Sequence, residues 1–371
     1  MSTEDAIRQA LTSVIDPEIR RPITELGMVR SVEVADDHAT VGIDLTTSGC
    51  PLREKISTDV KDAALSVDGV AKATVEFGVM SDEQRDKLRT ELRGAPEPVI
   101  PFTQPGNTTR IYAIASGKGG VGKSTVTANL AAAMAAGGLK VGVLDADIFG
   151  FSIPGMLGID GQPTKIDDML IPPVAHDVKA VSIGMFVPPG QPVVWRGPML
   201  HRAIEQFLAD VFWGDLDVLL LDLPPGTGDI AISTAQLLPH AEIVVVTTPQ
   251  AAAAEVAERA GAVAVQTQQG VVGVIENMAF LEQPDGSRLD LFGSGGGETV
   301  ATNLSELLGT QVPLLGQIPI DVAAREGGDA GTPVVLADPD SPAATALRHV
   351  AAELASRQRG LAGRSLGVTP V

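Results

Sequence analysis

The stretch SGKGGVGKST, Ser116 to Thr125, constrains this chain more than any other. It follows a short apolar segment, Ile111–Ala115, and opens an alanine-rich one, which is where a buried strand gives way to a helix. Its spacing fits GxxxxGK[ST]. Gly117, Gly119, Gly120 and Gly122 let the backbone from Gly117 through Val121 to Thr125 curl, so that N–H groups face phosphate oxygens. Lys123 then neutralises the β and γ charges, and the Ser124 hydroxyl ligates Mg²⁺. The helix that begins here adds its positive N-terminal dipole. The motif therefore implies ATP and Mg as ligands.

A loop of this kind sits at the edge of a parallel sheet, and the rest of the chain supplies one. Strands are expected near Val141–Asp145, Val218–Asp222, Ile243–Thr247 and Val271–Ile275, separated by alanine-rich helical stretches. The fold class is α/β: a doubly wound, mostly parallel sheet forming a P-loop NTPase domain over 109–371. The segment 94–108 carries Pro96, Pro98, Pro101 and Pro105 and reads as a semi-rigid linker. Before it, residues 1–93 make a small α+β domain. There Ile7, Leu11, Val14 and Ile15 keep helical spacing, Val41, Ile43 and Leu45 alternate, Ile56, Val60 and Leu65 suggest a second helix, and Ala73–Phe77 a further strand.

Bulk properties narrow the partners. At 371 residues with a net charge of −19, the chain opposes nonspecific binding to nucleic acid or to anionic membrane. The start MSTEDAIRQA is acidic where a signal peptide is basic and then apolar, and no run of about 18 apolar residues occurs, so a cytoplasmic location is expected. A single cysteine, Cys50, rules out an internal disulfide.

Acidic residues at strand ends complete the phosphate site. VLDADIFG places Asp145 and Asp147 at a carboxyl edge, with turn capping as the plain role for Asp145. VLLLDLPPGTGD places Asp222 after an apolar run that must be buried, where Mg²⁺ supplies the charge that an isolated carboxylate lacks. Lys118 is a second lysine that a clamp within one subunit does not need.

With Lys118, the loop resembles the deviant Walker A motif KGGVGKS of the family that includes the nitrogenase iron protein, the septum-placing and chromosome-partitioning ATPases and the Mrp/ApbC iron–sulfur carriers. WRGPM at Trp195–Met199, LDLPPGTGD at Leu221–Asp229 and LFGSGGGETVA at Leu291–Ala301 resemble the Mrp/ApbC branch. DPE at Asp16–Glu18 and TSGCP at Thr47–Pro51 resemble the small metal–sulfur assembly domain fused to many of its members. The resemblance implies ATP hydrolysis by a homodimer that carries or assembles iron–sulfur clusters for apo-proteins or scaffolds. It implies that Lys118 reaches the partner's phosphates, Asp147 positions the attacking water, Asp222 contacts Mg²⁺ through its outer sphere, Gly226 senses the γ-phosphate and Asn277 binds adenine.

One element of the pattern is missing. The family's CxxC pair follows the ENM segment, where this chain has Gln283, Pro284, Asp285 and Gly286. His38, His176, His201, His240 and His349 are scattered without metal-ligand spacing. Cys50 is then either the one thiol for a cluster or a buried, inert cysteine, the usual outcome for the residue type. Pro51 favours a first helical position, which makes Cys50 the expected N-cap of the next helix, where the dipole favours thiolate. Asp16 and Glu18 are either nearby oxygen ligands or a turn-capping DP step. Two rival functions remain at this stage: a partitioning or septum-type positioning ATPase, and a cluster-free ATP-driven assembly chaperone. The first asks for a basic surface or an amphipathic membrane helix. The terminal ALRHVAAELASRQRGLAGR has arginines but mostly alanine on its apolar side, so it is expected to pack on the sheet instead.

Overall fold

The computed structural model describes residues 2–46, 52–93, 99–148, 150–186, 197–226, 228–250, 253–283 and 285–357. Two compact units emerge, the smaller made of 1–99, 161–173 and 210–214, the larger of the remainder.

In the smaller unit, α1 (Thr3–Ala10) starts at a capping box in which Ser2 and Asp5 satisfy each other's backbone N–H groups. Strands β1 (Val29–Ala35), β2 (His38–Leu45) and β3 (Lys72–Val79) form a sheet, with β1–β2 antiparallel and β2–β3 parallel. Helix α2 (Arg53–Leu65) provides the crossover between β2 and β3, and α3 (Asp82–Arg93) follows. Three expectations change here. Helix α1 gives way to a 3₁₀ turn at Leu11–Ser13, leaving Ile15 exposed. In α2, Ile56, Val60 and Ala64 are buried while Leu65 faces out. Its N-cap is Leu52, without a side-chain capping bond, so the helix starts beyond Cys50 and Pro51, which lie outside the described residues.

The larger unit begins with β4 (Arg110–Ala115), α4 (Lys123–Ala136), β5 (Val141–Asp145) and the short α5 (Ile153–Met156). The hairpin β6 (Thr164–Ile166) and β7 (Met169–Ile171) then leaves it. Ile166, Met169 and Ile171 are buried with Ile7, Leu11, Ile43 and Val60 in the core of the smaller unit. The sequence division had placed 161–173 and 210–214 in the larger domain; the structure assigns both segments to the smaller unit because its core takes their apolar side chains.

The chain returns through β8 (Val174–Ala175), β9 (Val178–Ser182), α6 (Gly197–Asp210), β10 (Val218–Asp222), α7 (Asp229–Leu237), β11 (Glu242–Thr247), α8 (Ala253–Thr267) and β12 (Val271–Glu282). It closes with β13 (Arg288–Leu289), α9 (Gly296–Leu308), β14 (Leu314–Ile320), α10 (Val322–Asp329), α11 (Val334–Ala337) and α12 (Pro342–Ser356). The nine-stranded sheet runs β13-β12-β11-β4-β10-β5-β9-β8, with β14 also on β12; only the edge strands β8 and β13 pair antiparallel. Strand β4 lies between β10 and β11, so the chain winds outward in both directions from it, and the loop after β4 sits at the switch point where such sheets bind ligands. The core strands are continuous apolar runs because helices cover both faces. Helix α12 buries Ala343, Ala344, Leu347, Val350, Ala351 and Leu354, and the Tyr112 hydroxyl donates to the Leu354 carbonyl at 2.9 Å. The terminal helix therefore packs on the sheet.

Candidate functional site

The loop between β4 and α4 carries the glycine-rich motif, and its shape depends on two left-handed residues, Gly120 (φ 76°) and Gly122 (φ 77°). Gly117 needs its missing side chain for a different reason: a Cβ there would stand 2.7 Å from the Val256 Cα. Arg259 on α8 donates to the Gly117 carbonyl at 3.0 Å, which ties the start of the loop to that helix. An open cleft of ≈ 240 Å³ lies over the loop, with Lys118, Lys123, Ser124, Asp147 and Gly150 among its lining.

Beneath the loop, the fully buried Asp222 is saturated with donors. Its Oδ1 accepts from Lys123 Nζ at 2.7 Å and Thr127 Oγ1 at 2.9 Å, and its Oδ2 accepts from Ser124 Oγ at 2.6 Å. In this state Lys123, itself 6% exposed, neutralises the carboxylate. From the sequence, Mg²⁺ alone is expected to do this; in the structure the lysine does it as well. A hydroxyl and a carboxylate held side by side are nonetheless the hard oxygen donors that Mg²⁺ takes, so Ser124 and Asp222 fit it. Sequence analysis missed Thr127, although its place one helical turn after Lys123 put it on the same face.

Asp145 ends β5 in register with Asp222 and has no exposed surface. Its Oδ1 accepts from the Asp147 N–H at 3.1 Å; its Oδ2 accepts from the Ser152 and Ile153 N–H groups at 3.1 and 3.3 Å and from Ser182 Oγ at 3.1 Å. Burial, and then the charge of Asp222, push this carboxyl up to about 7 despite those donors. Turn capping is thus its role, on a larger scale than a single turn. Asp147 lines the cleft and accepts from the Gly150 N–H at 3.1 Å.

The remaining expected residues converge on the same loop. The Gly226 N–H donates to the Ser116 carbonyl at 2.8 Å. Asn277 donates from Nδ2 to the Val121 carbonyl at 2.9 Å and closes directly on Gly122. It was expected just past a strand; β12 instead runs on through it, with Met278 at φ 55° marking the irregularity. Its neighbour Glu276, which the sequence gave no reason to single out, is buried and accepts from the Gly297 N–H at 2.7 Å, fixing the start of α9. Lys118 hydrogen-bonds Gln250 Oε1 within its own chain.

Cys50 lies outside the described residues, and the residues expected beside it or in place of the CxxC pair have local partners. Asp16 Oδ1 accepts from the Glu18 and Ile19 N–H groups at 3.0 and 2.9 Å, so the DP step caps a turn. The Gln283 N–H donates to the Ser287 carbonyl at 2.8 Å and Ser287 Oγ to Asp285 at 2.6 Å, so this segment turns β12 into β13; Pro284 lies outside the described residues. The Ser287 hydroxyl, and with it the Ser287 N–H, which donates to the same Asp285 oxygen at 2.9 Å, hold the Asp285 carboxyl below its usual range. Among the described residues no three His, Cys, Asp or Glu side chains gather as metal ligands.

A glycine-rich loop between a central parallel strand and a helix, with a lysine, a hydroxyl and a strand-end aspartate meeting under it, defines a nucleotide-binding P-loop NTPase. The model described as a NUBPL iron-transfer P-loop NTPase matches residues 107–355, and one described as an iron-sulfur cluster assembly protein matches 4–77. The chain belongs to the NUBPL iron-transfer P-loop NTPase family. An iron-sulfur cluster carrier protein of Mycobacterium tuberculosis (strain H37Rv) is 60% identical over 367 residues, covering 98% of this chain and 96% of its own. The protein of the same name from Deinococcus radiodurans is 45% identical over 357 residues, 95% of each chain. A solved nucleotide-binding protein of Archaeoglobus fulgidus, in complex with ADP, is 36% identical with a TM-score of 0.51, over 68% of this chain and 91% of that one. Among the described residues no helix is long and apolar enough to cross a membrane.

Proposed function

We propose that this protein is a cytoplasmic, Mg²⁺-dependent ATPase that carries or assembles iron–sulfur clusters for apo-proteins, with ATP binding and hydrolysis switching the geometry of a homodimer. The observation that carries the ATPase half is the buried group of Lys123, Ser124, Thr127 and Asp222 directly under the phosphate loop. Ser124 and Asp222 would hold Mg²⁺, which neutralises phosphate charge. Lys123 leaves Asp222 for the nucleotide's β and γ oxygens, an exchange of one anionic partner for another. Gly226 gives up the Ser116 carbonyl to meet the γ-phosphate, Asn277 flanks the adenine, and Asp147 orients the attacking water. Lys118 exchanges Gln250 for the phosphates of the partner subunit, as an arginine finger acts in trans.

The cluster half is supported by the family and by the curated carrier proteins that match almost the whole chain. The cluster is cargo, and Cys50 is the one thiol that this chain offers it. A symmetric dimer brings two thiolates, short of the four that a [4Fe–4S] cluster takes, so a client, scaffold or small thiol completes the set. The presence of Gln283, Pro284, Asp285 and Gly286 where the family has its CxxC pair favours a second outcome, an ATP-driven chaperone that binds no cluster. Anaerobic reconstitution with iron and sulfide analysis of wild type and Cys50→Ser, with ATP turnover measured in parallel, separates them. The carrier reading expects cluster that is lost in Cys50→Ser while turnover stays. Full cluster in Cys50→Ser overturns the assignment to Cys50, and wild type that never takes up cluster, with client present, favours the chaperone.

A further inference from the structure

The phosphate cleft is lined by Asp147, Gly150 and Ser152, all from the loop that leaves β5, yet what fastens that loop lies outside the cleft lining. Asp145 gathers three N–H groups from its two ends, those of Asp147, Ser152 and Ile153. The fourth donor is Ser182 Oγ, from the end of the neighbouring strand β9, where Ser182 stands in register with Asp145. The Ser182 oxygen also accepts from the Gly184 N–H at 3.1 Å, so one lone pair is taken and the hydroxyl proton is directed at Asp145. A second contact fastens the same loop to the same corner. Phe151 packs on Gly184 so closely that a Cβ there would be 2.2 Å from the ring.

We infer that Ser182, acting through Asp145, is a positioning residue that fixes the loop bearing Asp147 for hydrolysis. The inference rests on the reading of Asp147 as the group that orients water. Ser182 is fully buried and does not line the cleft, so its removal should leave the nucleotide's own contacts intact. Loss of Oγ takes one donor from the Asp145 carboxyl and leaves the Gly184 N–H without its acceptor. The loop then samples positions in which Asp147 is displaced, and a small misplacement of a catalytic group lowers turnover far more than binding.

The test compares full-length wild type, Ser182→Ala, Ser182→Thr and Asp147→Asn, and the Ser182→Ala/Asp147→Asn double variant, by amide hydrogen exchange over 146–153 and by steady-state ATP turnover. In Ser182→Ala, exchange over 146–153 should rise roughly ten-fold and kcat fall roughly ten-fold, the effect of one lost buried hydrogen bond, with KM within about two-fold. Ser182→Thr, which keeps the hydroxyl, should recover both. The double variant should turn over no more slowly than Asp147→Asn alone, because the serine has no other route to the chemistry. Unchanged exchange in Ser182→Ala overturns the inference. So does faster exchange with normal kcat, a KM that rises with the loss, or losses that multiply in the double variant. A wild type that binds ATP without turnover sinks the hydrolytic reading and the catalytic half of this inference with it, while exchange still decides whether Ser182 fastens the loop.

Discussion

Asp145 and Asp222 end adjacent parallel strands in register, and only one of them has a cation. Asp222 has Lys123, whereas Asp145 has uncharged donors, and burial carries its carboxyl to about 7. The unfolded chain releases that proton near the ordinary carboxylate value of 3.8, so between those two values the folded protein holds one proton more than the unfolded one. Stability from this group is therefore fully present below the lower value and is lost as pH rises through about 7. Its slope is about −1.4 kcal/mol per pH unit in that window. Denaturant unfolding of wild type and Asp145→Asn at pH 5 and pH 7 should show wild type losing stability over that interval relative to the variant. Equal pH dependence in the two proteins would show that Asp145 is already ionised when folded. The sequence revealed that Asp145 sits at a strand end. It could not reveal that Ser182, brought alongside by β9, is what it holds.

The same division runs through the elements. The sheet was legible because strands covered on both faces read as unbroken apolar runs, VGVLD, VLLLD and EIVVVT, and the phosphate loop was legible because its glycines have fixed spacing. Elements set by distant contacts were not. The start of α2 was misplaced by the preference of proline for a first helical turn, and β12 runs longer than its apolar pattern because β13 and β14 pair with its far end. Loop and strand then meet at one point, Gly122 against Asn277. Adding a methyl there forces a left-handed residue, costing about 1–2 kcal/mol. It also puts a Cβ 2.2 Å from Asn277 Nδ2, which must give up the Val121 carbonyl to move. Gly122→Ala should therefore lower the melting temperature and weaken ATP binding at least about ten-fold, the equivalent of one such bond. Gly119→Ala meets only a Pro225 carbon at 3.8 Å and should keep its melting temperature. If both variants melt like wild type, the fit of Asn277 into the loop does not hold it.

At the scale of the molecule, the first unit ends at Val99, inside the segment read from the prolines, but two later segments, 161–173 and 210–214, return to that unit. The smaller unit completes its core with Ile166, Met169 and Ile171 from a hairpin inserted between β5 and β8, and nothing local in GQPTKIDDMLIPP tells which core will take them. Each such side chain contributes roughly 1.5–3 kcal/mol when buried, so the three together supply roughly 5–9 kcal/mol, as much as the whole stability of many domains. Cutting at the linker removes that contribution from the small unit and leaves three apolar side chains on the fragment 100–371 without their cover. The fragment should self-associate in analytical ultracentrifugation. Replacing the three, as Ile166→Thr, Met169→Gln and Ile171→Thr, should return it to the stoichiometry of the full-length protein, because the patch and not the sheet is at fault. In the full chain the same three substitutions should do the reverse and melt the small unit first, read as an early loss of exchange protection in β2 and α2. A fragment that stays monodisperse with the native hairpin, or a full chain whose small unit melts unchanged with the triple substitution, would mean that the hairpin adds little to that core.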